Sequence, residues 1–252
     1  LIIQALGRKP IQIEYLSDAR DTKILARIMH QLKFPEESRE LNAEDAGTVM
    51  RFMTAYLSLQ TGREFVLSGT ARAHERPIAI LVNALRSLGA QITYLGEDGY
   101  PPLLISGRNL HGDLLEIDGH ISSQFISAIC MISPCLPQGL TIQLKGEPVS
   151  RPYVDMTLQM MTRCGIEIWQ KKDGYQILPG SYLDTTLQIE RDWSSAAFFL
   201  LGAALSEQAE LRFEGLFHPS LQGDHRIMQI LSEAGMSFRF DFAHATVIKP
   251  EG

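Results

Sequence analysis

The chain has 252 residues, 45% of them hydrophobic and 21% charged, with 23 basic against 29 acidic side chains and a formal net charge of −6. This is globular composition, which excludes collagen, disorder and coiled coil, and at roughly 150 residues per domain it leaves room for one large domain or two unequal ones. The acidic balance, with no basic block, lacks the electrostatic footprint of a nucleic-acid binder. The longest apolar run, Ala196 to Leu205, has ten residues including one Gly, short of the roughly 18 needed to cross a bilayer.

Leu1 to Leu6 read as the last turns of a helix, so a segment is expected upstream; they are too few for the apolar region of a signal peptide. Ile11-Gln12-Ile13-Glu14-Tyr15 alternates like a strand, and Ser17-Asp18 through Leu32 has a helical pattern. A helix with a small and hydroxyl start follows at Ala46-Gly47-Thr48-Val49-Met50-Arg51-Phe52, then a strand at Glu64 to Leu67. Glu75-Arg76-Pro77-Ile78 opens a second helix that closes at Leu88-Gly89, and the short strands Gln91 to Tyr94 and Leu103 to Ile105 come after it. Pro suits a first helical turn because its missing N–H has no intrahelical partner there, and Gly after the last turn accepts left-handed angles.

The same order then recurs. Ile121-Ser122-Ser123-Gln124-Phe125 starts a helix, Leu140 to Leu144 is a strand, and Ser150-Arg151-Pro152-Tyr153 runs to Cys164-Gly165; the strands Ile166 to Trp169 and Tyr175 to Leu178 complete the set. A third copy has an entering strand at Leu187 to Glu190, a helix from Trp193-Ser194-Ser195, a strand at Glu210 to Phe213, and a helix from Gly223-Asp224-His225 to Ala234-Gly235. Thr48, Ser123 and Ser195 are 75 and 72 residues apart, Arg76 and Arg151 are 75 apart, and Gly89 and Gly165 are 76 apart. The unit is a βαβαββ repeat of roughly 73 residues, too long for a leucine-rich or ankyrin solenoid. Each copy is expected to be a small sheet-and-helix layer packed on its neighbours around shared buried helices.

No GxGxxG follows a strand, and no GxxxxGK[ST] loop, GxSxG elbow or HExxH pair occurs. No cofactor and no metal are expected. The cysteines Cys130, Cys135 and Cys164 are three, without CxxC spacing, and read as buried thiols of a reducing compartment. What remains is anion chemistry. Gly47-Thr48 with Arg51 one turn later puts a close-approach backbone, a hydroxyl and a guanidinium on one helix start. Arg76 supplies a planar donor fork at a helix entry, and Ser122-Ser123-Gln124 offers hydroxyls and an amide where the helix dipole favours an anion. Ser122-Ser123 and, more so, Ser194-Ser195 read also as N-caps alone, and the sequence leaves both readings open. Asp224, at another helix start, is a carboxylate able to act as a base.

In this order and spacing, Asp45-Ala46-Gly47-Thr48-Val49-Met50-Arg51, Glu75-Arg76-Pro77-Ile78, Ser122-Ser123-Gln124, Ser150-Arg151-Pro152-Tyr153 and Gln222-Gly223-Asp224 resemble the 5-enolpyruvylshikimate-3-phosphate (EPSP) synthase family. The resemblance implies the enolpyruvyl transferase fold, an inside-out α/β barrel with two domains of three repeats each. It also implies transfer of the enolpyruvyl group of phosphoenolpyruvate to the 5-hydroxyl of shikimate 3-phosphate, with release of phosphate, on the route to chorismate and the aromatic amino acids. By motif, Ser122, Ser123 and Ser150 would hold the substrate phosphate and Tyr153 would border the ring. Gln124 would touch both substrates, Gly47 and Arg76 would line the phosphoenolpyruvate site, where glyphosate competes, and Asp224 would take the proton of the attacking hydroxyl.

The family's first Lys-Ser motif would precede Leu1, and its later acidic and basic site residues would follow Gly252. The chain is therefore expected to be truncated at both ends. Residues 1–187 would be a three-repeat domain lacking its first motif and 188–252 the first repeat of a second, incomplete domain, with negligible turnover alone. The resemblance further implies a cytoplasmic, monomeric parent enzyme that uses small-molecule substrates and no nucleic acid or membrane. Asp45 stands where Asn is common in the family; a carboxylate beside an anion site lowers affinity unless a cation pairs with it. The competing readings are a UDP-N-acetylglucosamine enolpyruvyl transferase, whose reactive Cys has no counterpart in Gly69-Thr70-Ala71-Arg72-Ala73-His74, and a non-catalytic ligand-binding fragment.

Overall fold

Glycine punctuation and strand alternation carry through to the backbone of the computed structural model, which describes residues 1–34, 39–241 and 244–250. The chain divides into two units, 1–12 with 18–186, and 13–17 with 187–252.

In the first unit, α1 (Ile2–Leu6) and α2 (Arg20–Gln31) lead into two full copies of the repeat, while β1 (Ile11–Glu14) passes into the second unit at Ile13. The first is β2 (Glu40–Asn42), α3 (Gly47–Ser58), β3 (Glu64–Ser68), the single turn α4 (Ala71–His74), α5 (Ala79–Ser87), β4 (Gln91–Tyr94) and β5 (Leu103–Ser106). The second is β6 (Leu114–Asp118), α6 (Ser123–Ile132), β7 (Leu140–Lys145), α7 (Arg151–Arg163), β8 (Ile168–Lys171) and β9 (Gly174–Ile177). Their sheets have the same topology, β2-β3-β5-β4 and β6-β7-β9-β8. The first two strands of each are parallel, with Leu41 opposite Leu67 and Ile117 opposite Leu144, and the remaining pairs are antiparallel.

A parallel pair requires a crossover, and α3 and α6 supply it. Both are apolar nearly all round, as wholly buried helices must be: Met53, Ala55, Leu57, Ile126, Ile129 and Ile132 are sealed from solvent, and α3 packs directly on α6. Strand faces alternate accordingly, with Phe65 and Leu67 of β3 and Leu140, Ile142 and Leu144 of β7 inward. Because the parallel strands run the same way, the helices that follow them start at their carboxyl ends, where ligands of open α/β sheets bind.

The third copy begins with β10 (Thr185–Gln188), which enters the second unit at Leu187, and continues there with α8 (Trp193–Leu205), β11 (Ala209–Glu214), a 3-10 turn at Gly223–Arg226 leading into α9 (Ile227–Glu233), β12 (Ser237–Phe240) and β13 (His244–Lys249). Its sheet, β11-β13-β12, is antiparallel and closes over Trp193, Leu200, Leu216, Leu231 and Val247. The entering strand does not join that sheet. It forms a two-stranded ribbon with β1, continued by the Ile189 N–H to the Glu14 carbonyl at 3.0 Å and by Gln188 Nε2 to Glu14 Oε2 at 2.9 Å.

The closing glycines Gly89, Gly165 and Gly235 have φ of 95°, 86° and 87°, the left-handed angles that end a helix without a Cβ clash. Three expectations need correction. Pro77 does not open a helix: α4 ends at His74, and α5 begins only at Ala79, because Ile78, whose N–H donates to the Gly99 carbonyl at 2.8 Å, is held at φ −132°, outside the helical range. Ser194 and Ser195 are not the cap of α8; Asp192 is, accepting from their N–H groups at 3.0 and 3.2 Å. Cys130 and Cys164 are buried but Cys135 is exposed, since it sits at the end of the 3-10 turn Ser133–Cys135 that leaves α6.

Candidate functional site

The start of α3 is open. Its N-cap, Ala46, has only a methyl side chain, so no side-chain cap satisfies the first N–H groups. Two guanidinium groups converge on this end. A Cβ built on Gly47 would lie 2.5 Å from Arg51 Nη1 and 2.7 Å from Arg76 Nη1, so only glycine leaves both in place. Gly47, Met50, Arg51, Ala73, Arg76, Pro77 and Ile78 line a small pocket here.

Each cation is held from a different element. Arg76 follows α4, its N–H bonded to the Ala73 carbonyl at 3.2 Å, and its Nη1 donates to the Asp45 carbonyl at 3.3 Å. Arg51 projects from the second turn of α3, lies 5.2 Å over the Phe125 ring, and donates from Nη1 to Gln124 Oε1 at 2.9 Å. Its Nε is buried with no hydrogen-bond partner. Burial first, and the neighbouring Arg76 charge second, lower the Arg51 pKa. Two like charges drawn together and partly desolvated are costly by themselves. An anion between them would offset both penalties.

Gln124 ties this pocket to the second repeat. It is the second residue of α6, and its Nε2 donates to Thr48 Oγ1 at 3.2 Å while its Oε1 is taken by Arg51. Beside it, Ser122 is the N-cap of α6, accepting from the Gln124 N–H at 3.3 Å, and Ser123 is the buried first helical residue. Ser150, the N-cap of α7, has φ 57° and ψ 41° and makes no side-chain cap bond. A left-handed non-glycine residue costs roughly 1 kcal/mol or more. The loops before α6 and α7 are joined by the Val149 N–H to the Gly119 carbonyl at 3.0 Å, and the helices by Thr157 Oγ1 to Ser127 Oγ at 3.0 Å. Tyr153, half exposed, stands in the first turn of α7.

The structure thus brings Gly47, Arg76 and Gln124 together, and sets Ser122, Ser123, Ser150 and Tyr153 on two adjoining helix starts. Asp224 lies in the other unit. It is exposed in the 3-10 turn and accepts a short hydrogen bond from the Ser194 hydroxyl. That turn is anchored by Gln222, whose Oε1 accepts from the Trp193 N–H at 2.9 Å and whose Nε2 donates to the Arg191 carbonyl at 2.7 Å. Sequence reasoning missed Arg20 of α2, which pairs through Nη2 with Glu44 Oε2 at 2.8 Å and Asp45 Oδ1 at 3.2 Å; an exposed Arg on a helix carries no signal of a partner 24 residues away.

Among the described residues no group of three or more His, Cys, Asp or Glu could hold a metal ion, and no helix is long and apolar enough to cross a membrane. Tandem βαβαββ repeats whose crossover helices start at the carboxyl ends of parallel strands define a protein of the enolpyruvyl transferase fold. The solved structures carry that fold: an EPSP synthase from Acinetobacter baumannii superposes with a TM-score of 0.76 at 20% identity, over 98% of this chain and 61% of that one. The enolpyruvyl transferase NikO from Streptomyces tendae gives 0.64 at 15% identity over the same shares.

The chain belongs to the EPSP synthase (3-phosphoshikimate 1-carboxyvinyltransferase) family, whose model matches residues 1–251. Among curated relatives, a 3-phosphoshikimate 1-carboxyvinyltransferase of Bacteroides fragilis is 42% identical over 241 residues, covering 95% of this chain and 57% of the relative. One of Aliivibrio fischeri is 39% identical over 237 residues, covering 90% and 54%. The chain spans little more than half the length of these relatives.

Proposed function

We propose that this chain carries substrate-binding machinery for the transfer of an enolpyruvyl group from phosphoenolpyruvate to the 5-hydroxyl of shikimate 3-phosphate. The observation that supports it most is the convergence of Arg51 and Arg76 on Gly47, with Gln124 bridging to the serine-lined start of α6. Phosphoenolpyruvate is a small dianion or trianion, and paired guanidiniums at an open helix start match its carboxylate and phosphate. Ser122, Ser123 and Ser150 hold the phosphate of shikimate 3-phosphate and Tyr153 flanks its ring. Gln124, already shared between the two sets of residues, contacts both substrates.

In the reaction the methylene carbon of phosphoenolpyruvate gains a proton, which makes C2 electrophilic. The 5-hydroxyl oxygen bonds to C2 as its proton leaves to a base, the role assigned to Asp224. Loss of phosphate and of the added methyl proton restores the double bond. The steps require fixed charges, an acid and a base, and no electron sink. We also assign residues 1–187 and 188–252 to a first and a second domain of the enzyme, and place it as a monomer in the cytoplasm acting on small molecules, without a cofactor.

Calorimetric titration of the chain tests the reading. Saturable binding of shikimate 3-phosphate that Ser123→Ala weakens, followed by phosphoenolpyruvate binding that Arg76→Ala weakens, is the expected result. Binding of UDP-N-acetylglucosamine in place of shikimate 3-phosphate, or of neither, overturns it.

A further inference from the structure

Two acidic residues stand in the turn that leads into α3, whose first residue, Gly47, lines the pocket. Glu44 and Asp45 immediately precede the open start of α3, and the Asp45 carbonyl is the group that Arg76 grips. The turn carrying them is pinned. Glu44 has φ 53°; its N–H donates to Asn42 Oδ1 at 2.8 Å, and its carbonyl accepts from the Thr70 N–H at 2.9 Å. The side chains are met from α2, where Arg20, Ile24, Arg27 and Ile28 share one stripe and the two isoleucines are buried. Arg20 reaches both carboxylates, with Nη1 to Asp45 Oδ2 at 3.4 Å in addition to the two pairs above. Arg27 takes Glu44 Oε1 at 2.9 Å and the Asn42 carbonyl at 2.9 Å.

We propose that Arg20, backed by Arg27, is a charge-compensating positioning residue for the anion pocket: it holds the Asp45 carboxylate away from the uncapped start of α3, where that carboxylate would otherwise compete with the incoming ligand. This rests on the reading of the pocket as a phosphoenolpyruvate site. The physical grounds are local. Asp45 stands two residues before the first helical residue of α3 and directly before its N-cap Ala46, where a carboxylate is drawn by the unpaired N–H groups and the positive dipole end. The guanidiniums of Arg51 and Arg76 add two further attractors for it. The Arg20 pair is exposed and contributes little to stability, so its consequence falls on ligand affinity.

The experiment is a charge-swap cycle on the chain, with phosphoenolpyruvate titrated calorimetrically in saturating shikimate 3-phosphate, and inorganic phosphate as a second probe. Arg20→Ala is expected to raise Kd about three- to tenfold at low salt, and Arg20→Lys to stay near wild type. The double variant Arg20→Ala/Asp45→Asn is expected to return to wild-type affinity, a rescue that a merely structural Arg20 would not give. The Arg20→Ala loss is expected to shrink at high salt. Unchanged affinity in Arg20→Ala, or a double variant as weak as the single, overturns the inference while leaving the pocket assignment standing. Failure of the wild-type chain to bind either probe overturns the pocket assignment and the inference with it.

Discussion

Gly47→Ala separates the anion pocket from the fold. The added Cβ would meet Arg51 Nη1 at 2.5 Å and Arg76 Nη1 at 2.7 Å, where a comfortable contact is about 3.5 Å. Both guanidinium ends must therefore retreat by about 1 Å. A charge-assisted bond of about 2.8 Å does not stretch that far, so at least one is lost on each bound anion, worth roughly 1.5–3 kcal/mol. That corresponds to about a 10- to 150-fold rise in the Kd for phosphoenolpyruvate. The fold itself has little to lose. The atoms displaced are the far ends of flexible side chains, and alanine gains up to about 1 kcal/mol over glycine in a helix. Thermal unfolding should shift by no more than about 2–4 °C, up or down. Titration calorimetry and a melting curve on the same sample check both halves. Wild-type affinity would refute the convergence of the two cations as the basis of binding; a large fall in melting temperature would refute the claim that Gly47 is there for the ligand.

Ser122→Ala removes the cap of α6 and should cost about 1 kcal/mol in urea unfolding, whereas Ser123→Ala should weaken shikimate 3-phosphate binding with a smaller change in stability; equal ligand affinity in both variants and wild type would return the pair to capping alone. Hydrogen bonds from Arg20 and then Arg27 hold the Glu44 carboxyl below its ordinary value. Its contribution to the 42–46 turn is therefore complete above the ordinary carboxylate range and lost as pH falls through the lowered value; a carboxyl NMR titration should show this value rising toward normal in Arg20→Ala/Arg27→Ala. Burial pushes the Cys130 thiol up to about 12, so at pH 8 it should resist iodoacetamide until the chain unfolds, and rapid labelling at native conditions would contradict its place in the core.

The repeat was readable because its markers are local. Gly89, Gly165 and Gly235 end helices for a reason carried by one residue, the absence of a Cβ at φ near 90°. The apolar runs of α3 and α6 lack a polar face because both helices are surrounded, and the alternation in β3 and β7 reflects sheets with one inward face. β2 escaped notice because three residues, Glu40 to Asn42, are too few to show alternation. The ribbon of β1 with β10 joins segments some 174 residues apart, and nothing in either segment names its partner.

The Arg-Pro pairs show where local reading stops. Arg76-Pro77 and Arg151-Pro152 are 75 residues apart and look like one motif used twice, yet Pro152 lies inside the first turn of α7 while Pro77 lies two residues ahead of α5. In the second repeat, Ser150 takes the left-handed turn before the motif, so the chain enters the helix already aligned. In the first, the extra turn α4 comes before the motif, so Arg76 and Pro77 fall in the connection between α4 and α5. That difference swings Arg76 out of a helix and toward the Asp45 carbonyl and Gly47, whereas Arg151 stays exposed between Glu147 and Asp155 at 3.8 and 3.6 Å. One dipeptide thus yields a pocket cation in one copy and a solvated surface charge in the other. The departure from repeat symmetry, rather than the symmetry, marks the proposed binding site.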